Sequence, residues 1–266
     1  MELLSYDFVQ RGILTGLMVG VSSAVAGVFL ILRRMAFLGA GLSHAAFGGI
    51  ALSMLFGVEP FLFTAIFTVL VGNLVQALSY HRRVPGDAAI ALVFSGGVAL
   101  AVLVLGIVKG FGEYIFGYLF GNILMVTRDE LYFSLFSFLL VSLFFLLFYR
   151  KLVLLSFSDE LAKLKGVNLI LINHMLVSVS SLVIVLSIKA VGIILASSMV
   201  VIPALTALMV GGSFLSTVVL SVCASVISVL AGITLAFYYD LPPSGTIVGA
   251  MISLFALAFL KRVLSS

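Results

Sequence analysis

Long apolar runs separated by short polar connections dominate this sequence, and they restrict its fold more than any other feature. Most runs reach the ~20 residues that an α-helix needs to cross the hydrocarbon core of a bilayer. We predict about nine spans, at residues 12–32, 39–57, 61–80, 88–108, 131–148, 169–188, 192–210, 214–238 and 246–260. Eight or ten spans are the alternatives, because three of the connections between spans are very short. With 63% hydrophobic and 9% charged residues, the chain leaves no room for a soluble domain. The predicted fold class is all-α, a polytopic membrane helical bundle, with residues 1–266 as a single domain.

The positions of Lys and Arg predict the orientation of the bundle. Membrane proteins collect these residues on their cytoplasmic side. If the charged stretch at 150–168 is cytoplasmic, ten of the fourteen Lys and Arg residues lie inside and four lie outside, namely Arg11, Lys109, Arg128 and Lys189. We therefore expect a multi-pass protein of the cell membrane with its N-terminus outside and its C-terminus in the cytoplasm. The net charge of +4 then requires no nucleic-acid partner.

The stretch at 150–168 is the one part of the chain that resembles soluble protein. The S-x-x-D spacing from Ser156 to Asp159 is typical of a capping box, so we predict a helix that begins just after Ser156. Lys163 suits the negative end of that helix, and Gly166 suits the left-handed residue that often follows a helix. The pattern fits a solvated connector, and it also fits a short helix presented to a cytoplasmic partner.

His44 is the histidine that lies well inside a predicted span. It follows Ser43 in a stretch of small residues, G-A-G-L-S-H-A-A-F-G-G. An ionisable side chain at membrane depth is a functional candidate, and a neutral imidazole is a common ligand for Zn²⁺. The alternative is a histidine that is hydrogen-bonded to the backbone of a neighbouring helix. No spacing makes a closed metal cage, and one cysteine excludes a disulfide framework, so we expect no cofactor in this chain.

Three further features bear on how the spans pack. Gly12, Gly16 and Gly20 form a face of small residues that allows close helix approach, either within the subunit or at a dimer seam. Pro203 is expected to interrupt the seventh span. Residues 111–122 are rich in glycine and aromatic residues, and we expect a half-helix or re-entrant piece at the outer face.

Five stretches along the chain carry a family resemblance when they are taken together. They are L-R-R-M-A-F-L-G-A-G-L-S-H-A (32–45), G-Y-L-F-G-N-I-L (117–124), S-D-E-L-A-K-L-K-G-V (158–167), K-A-V-G-I-I-L-A-S-S-M-V-V-I-P-A-L-T-A (189–207) and Y-D-L-P-P-S-G (239–245). In this order they resemble the permeases of metal-ion ABC transporters, the membrane subunits of zinc, manganese and iron importers.

The resemblance implies a bundle like that of the type II ABC importers. It also implies several partners: a second permease copy in a homodimer, ATP-binding-cassette ATPase subunits and an extracytoplasmic metal-binding protein. ATP would be bound and hydrolysed by the ATPase subunits, so this chain would be a transport subunit and not an enzyme. The segment from Phe157 to Val167 matches the coupling helix that docks on the ATPase, with these candidate residues: Ser158, Asp159, Glu160, Ala162 and Gly166. His44 matches the substrate-path histidine, with Ser43 and Asn122 as further candidates.

Two positions depart from the pattern of the family. Many relatives carry Asp four residues before the histidine, where this chain has Ala40, and zinc-type relatives often have Asp at the position of Asn122. A carboxylate and an imidazole one helical turn apart would share a face and hold a divalent cation. We expect a divalent metal ion as the cargo, zinc before manganese or iron, because neutral nitrogen suits Zn²⁺ better than Mn²⁺.

A secondary transporter of a small solute or cation, coupled to protons or sodium, is the alternative function. Such carriers usually place more than one ionisable group near the midplane, and here His44 alone qualifies. A membrane-embedded enzyme that uses Ser43 or Ser197 with His44 would also need an oxyanion site and a third orienting group. The sequence supplies neither of these.

Overall fold

The computed structural model describes residues 6–80, 84–108, 117–121 and 123–265, apart from the side chains of residues 189 and 265. The main helices are α1 (Asp7–Leu32), α2 (Leu38–Phe56), α3 (Pro60–Tyr80), α4 (Gly86–Ile107), α5 (Arg128–Phe157), α6 (Asp159–Leu164), α7 (Leu169–Val210), α8 (Phe214–Tyr239) and α9 (Pro243–Ser265), with a 3₁₀ turn at Ile123–Met125. In this described part, nine helical segments are long and apolar enough to cross a membrane, because α7 contains two of them, Leu169–Ile188 and Ala190–Val210. The predicted all-α membrane bundle and its nine spans are confirmed.

Helix α1 packs against α5, α7 and α8. A Cβ atom at Gly16 would lie 2.9 Å from Val229 Cγ1, and one at Gly20 would lie 2.8 Å from Ser225 Oγ, so the glycine face lets α8 approach closely. On the neighbouring side, Ser23 Oγ and Ser187 Oγ form a buried hydrogen bond of 3.0 Å between α1 and α7. Of the two alternatives for the glycine face, packing within the subunit is therefore correct.

The break in α7 lies at Gly192 and not at Pro203, so the predicted interruption at Pro203 is wrong. Gly192 has φ +81° and ψ 168°, whereas the helix continues through Pro203. Proline removes one amide donor from a helix. Gly192 instead has non-helical φ and ψ angles, because the backbone of another segment packs directly against it. That backbone belongs to Gly121, where a Cβ atom would lie 2.7 Å from the carbonyl carbon of Val191. Of the predicted half-helix at 111–122, the structure describes 117–121, and 117–120 are helical.

Helix α5 is longer than its predicted span. It begins at a capping box, in which the Thr127 side chain accepts from the Glu130 amide and the Glu130 carboxylate accepts from the Thr127 amide. It then continues to Phe157, because no residue after 148 breaks a helix. Its side chains include strongly exposed leucines, such as Leu146 at 77% and Leu147 at 69%, as expected for a surface that faces lipid.

Candidate functional site

The short helix α6 begins at Ser158 and not at Ser156. Ser158 has extended backbone, φ −160° and ψ 126°, and its Oγ accepts a hydrogen bond from the Leu161 amide at 3.3 Å. Ser156 belongs to α5, where its hydroxyl donates to the Leu152 carbonyl at 2.9 Å. The predicted capping box from Ser156 to Asp159 is therefore wrong, because α5 runs through Ser156 and leaves Ser158 as the first residue that can cap α6.

The C-terminal end of α6 has the predicted glycine geometry. Gly166 has φ +73°. Its amide donates to the Lys163 carbonyl at 3.0 Å, and the Val167 amide donates to the Ala162 carbonyl at 3.0 Å. This pair of bonds is a Schellman motif, so Gly166 fixes the direction in which the chain leaves α6.

Helix α6 presents a mixed surface to solvent. Asp159, Glu160 and Gly166 are exposed, whereas Ala162 is fully buried against the bundle. Three large apolar side chains are also exposed here, Phe157 at 73%, Leu161 at 53% and Leu164 at 84%. Apolar side chains beside charges at a bundle end are typical of a protein interface. These three residues were not among the predicted site residues, although large apolar residues within a charged loop are a signal that can be found in the sequence.

Arg33, at the C-terminal end of α1, joins α6 to three other helices. One guanidinium nitrogen, Nη1, donates to the Leu155 carbonyl at 2.9 Å and to Asp159 Oδ1 at 2.5 Å. The other, Nη2, donates to Asn173 Oδ1 at 3.2 Å. The three acceptors lie in the last turns of α5, the first turn of α6 and the first turns of α7. From the sequence, Arg33 was part of the charge asymmetry and of the stretch 32–45, and its partners could not be predicted because they lie more than 120 residues away.

His44 lies on α2 and is half-buried. Its ring packs on Phe94 of α4, with centroids 4.1 Å apart and the planes tilted by 52°. Its Nδ1 atom is buried and has no hydrogen-bond partner in the described part of the chain. The alternative interpretation, a histidine held by the backbone of a neighbouring helix, therefore gains no support at this nitrogen.

The neighbours of His44 on α2 lie on two faces of the helix, one half-buried and one fully buried. Ala40 and Phe47 are half-buried like His44, and their spacing places all three on one stripe of the helix. Ser43 is 1% exposed, and its hydroxyl donates to the Gly39 carbonyl at 2.8 Å. Ala40 thus lies on the same half-buried stripe one turn before His44, and a carboxylate at position 40 would share the face of the imidazole. Asn122, the remaining candidate, lies outside the described residues.

Close packing of α4 fixes the backbone of α2 beside His44. A Cβ atom at Gly97 would overlap the His44 carbonyl oxygen and would lie 2.7 Å from Ala45 Cα. From the other helix, a Cβ atom at Gly48 would lie 3.0 Å from the Gly97 carbonyl oxygen. The two glycines allow the backbones to touch, so the position of α4 determines where the imidazole stands.

The described residues bring together no group of three or more His, Cys, Asp or Glu side chains that could hold a metal ion. Within one chain, His44 therefore offers a single nitrogen donor. A lone imidazole suits a weak and transient contact, which a transported ion needs in order to leave again.

Comparison with known proteins gives the same family over almost the whole chain. The ABC 3 transport family matches residues 5–262. The manganese transport system membrane protein MntC of Halalkalibacterium halodurans is 34% identical over 258 residues, which cover 97% of this chain and 88% of the relative. The high-affinity zinc uptake system membrane protein ZnuB of Haemophilus influenzae is 27% identical over 257 residues, covering 97% and 98%.

The fold of the chain agrees with that of a solved structure. A chain in the structure of PsaBC from Streptococcus pneumoniae in complex with Fab superposes with a TM-score of 0.86 at 28% identity, covering 97% of this chain and 92% of that chain. The sequence match, the nine spans and the shared fold lead to one conclusion: the chain belongs to the ABC 3 transport family and is a multi-pass protein of the cell membrane.

Proposed function

We propose that this chain is the membrane permease subunit of an ATP-binding-cassette importer and that its cargo is a divalent metal ion, zinc in preference to manganese or iron. The observation that carries the proposal is the match to the ABC 3 transport family over residues 5–262. Relatives are named for manganese transport and for zinc uptake, which supports a divalent transition metal as the cargo class.

The preference for zinc rests on the metal-ligand atoms that His44 and its neighbours on α2 would offer to a passing ion. His44 supplies neutral nitrogen, and Ala40 removes the carboxylate that would share its face. Mn²⁺ favours oxygen ligands, whereas imidazole suits Zn²⁺. Two permease copies around a common axis would supply two imidazoles, enough for a passing ion but fewer than the four ligands of a closed zinc site.

The energy source is a separate ATPase subunit that docks on α6. The exposed apolar side chains Phe157, Leu161 and Leu164 supply the contact area. Asp159 and Glu160 add charge at the rim, which favours orientation and specificity. This chain needs no cofactor of its own, since ATP is bound by the partner and the metal is cargo.

Transport by the reconstituted complex tests the proposal. The permease, its ATPase subunit and the external binding protein are placed in proteoliposomes, and uptake of radioactive Zn²⁺ and Mn²⁺ is measured with and without ATP. ATP-dependent uptake of Zn²⁺ in excess of Mn²⁺ is the expected result. Uptake driven by a proton or sodium gradient without ATP would contradict it and favour a secondary transporter.

His44→Ala is the matching variant. Uptake should fall by at least tenfold while assembly and basal ATP hydrolysis persist, because the ring packs on one aromatic neighbour and leaves a small gap. His174→Ala is the control, since the Nδ1 atom of His174 bonds Asn73 Oδ1 at 2.7 Å between α3 and α7. That variant should lose stability but keep its uptake per folded transporter. Normal uptake by His44→Ala would make His44 a structural residue.

A further inference from the structure

Arg33 joins the two parts of the molecule that the proposed function needs to connect. Its guanidinium reaches α6, which would meet the ATPase, and its backbone leads into α2, which carries His44. The side chain is 17% exposed while that of Asp159 is 55% exposed, so the ion pair lies at the edge of the bundle. It is the one ion pair that the structure gives within the described ranges.

The connection from Arg33 to α2 is short and held by backbone hydrogen bonds. Helix α1 ends in a Schellman pair, in which the Arg34 amide donates to the Ile31 carbonyl at 2.9 Å and the Met35 amide donates to the Leu30 carbonyl at 2.8 Å. Arg34 occupies the left-handed position with φ +59°. The Leu38 amide then donates to the Met35 carbonyl at 3.0 Å, directly at the start of α2. A displacement of Arg33 is therefore carried into α2 without a flexible linker.

The chemistry of the contact requires arginine. Three acceptors in three segments need a planar group with several donors at fixed angles, and a lysine ammonium would reach fewer of them. Asn173 is 7% exposed, so its amide oxygen would lose a buried partner if the guanidinium were removed. Asp159 lies in the first turn of α6, where its charge also suits the helix dipole.

We propose that Arg33 is the positioning residue that transmits movement of α6 to α2, so that ATP hydrolysis by the partner is converted into movement of the metal path. The proposal rests on the proposed function, because α6 matters for transport only if an ATPase docks there. Leu38 to His44 spans roughly 9 Å of helix at 1.5 Å per residue, so a shift at the corner reaches the imidazole through less than two turns.

Two variants isolate this role. Arg33→Gln removes the charge and the fork of donors, and Arg33→Lys keeps the charge but loses the fork. Arg34→Gln is the matched control, since it removes the same charge one residue along, at an exposed side chain. Hydrogen exchange of the isolated permease in detergent should accelerate at least tenfold in α6 and in the first turns of α2 for Arg33→Gln, and it should be unchanged for Arg34→Gln.

The role in transport is measured as metal ions imported per ATP hydrolysed in proteoliposomes. Arg33→Gln should lower this ratio at least tenfold while still assembling with the ATPase, and Arg33→Lys, which keeps the charge opposite Asp159 but reaches fewer acceptors, should lower it less. A merely structural arginine would lower the amount of folded protein and leave the ratio unchanged. An unchanged ratio in Arg33→Gln, or in Asp159→Asn if Arg33→Gln does not fold, overturns the proposal.

Failure of the proposed function would look different. In that case the wild-type complex would import no metal with ATP, whereas the exchange measurement on the isolated permease would still report whether Arg33 holds α6 and α2 together. Faster exchange confined to α6, with the first turns of α2 unaffected, would refute the mechanical link whatever the cargo is.

Discussion

Replacing Gly166 with valine should unfold the end of α6 and uncouple the permease from the ATPase subunit that we propose docks there. Gly166 has φ +73°, and no atom lies within 4 Å of a Cβ atom placed there. The cost of a side chain is therefore conformational and not steric, about 1–2 kcal/mol for an L-residue in the left-handed region and more for a β-branched one. Asparagine tolerates this region better than other L-residues, so we expect Gly166→Asn to be the least damaging substitution, Gly166→Ala to be intermediate and Gly166→Val to be the most damaging.

That cost is large for this helix. Helix α6 has six residues, and so short a helix is marginal without its caps and contacts. A loss of ~1–2 kcal/mol lowers the ratio of folded to unfolded α6 by a factor of about 5–30. The exposed face formed by Phe157, Leu161 and Leu164 would then be presented to the ATPase in its ordered form for only part of the time.

The measurements are amide exchange across 159–167 and stimulation of ATP hydrolysis by the binding protein in the reconstituted complex. Gly57→Val is the control, because Gly57 has φ +64°, equally open surroundings and a similar end-of-helix position at the other side of the bundle. It should have a similar conformational cost but leave the coupling intact. Full stimulation in Gly166→Val, or equal damage by Asn and Val, would refute the reasoning.

Three further predictions concern the path and the topology. Ala40→Asp should tighten Zn²⁺ binding by the isolated permease, measured by calorimetry, and an unchanged affinity would show that this position and the histidine one turn along do not share a site. Gly97→Ala should destabilise the bundle by about 1–3 kcal/mol in chemical denaturation, because it pushes α4 from α2, while Gly96→Ala, with open space around it, should not; equal stabilities would contradict the backbone contact. Single cysteines at Arg82 and Lys109, both outside the described residues, should react with an impermeant reagent from opposite sides in a background without the native cysteine, and labelling from one side would break the predicted topology.

Local signals in the sequence were sufficient for the framework of this fold. Runs of apolar residues gave nine spans, because a helix in lipid must satisfy its backbone internally and has a length fixed by the bilayer. Gly166 was identified as a left-handed residue because glycine after a short charged helix has few other uses. The boundary of α6 was misplaced by two residues, since both Ser156 and Ser158 can cap and only the extent of α5 decides between them.

Features that depend on contacts between residues far apart in the chain could not be predicted from the sequence. The break at Gly192 follows from the backbone of Gly121, which lies far away in sequence. The contacts of Arg33 with Asp159 and Asn173 also join residues far apart in the chain, and a single sequence contains no signal that pairs them. The surroundings of His44 could be predicted only in part, because periodicity locates the half-buried stripe on α2 but not the helices that cover the rest of α2.

The length of α5 has a consequence for the bilayer in which the protein works. From Arg128 to Arg150 the helix spans roughly 33 Å at 1.5 Å per residue, close to the ~30 Å of a hydrocarbon core, with a guanidinium at either end to meet the headgroups. With these two arginines at the headgroups, the remaining turns to Phe157 would extend roughly 10 Å further and place α6 clear of the acyl chains. A thicker or thinner bilayer would change the tilt of α5 and with it the height at which α6 is held. Import per ATP should therefore depend on acyl-chain length, with an optimum near the thickness that these two arginines define.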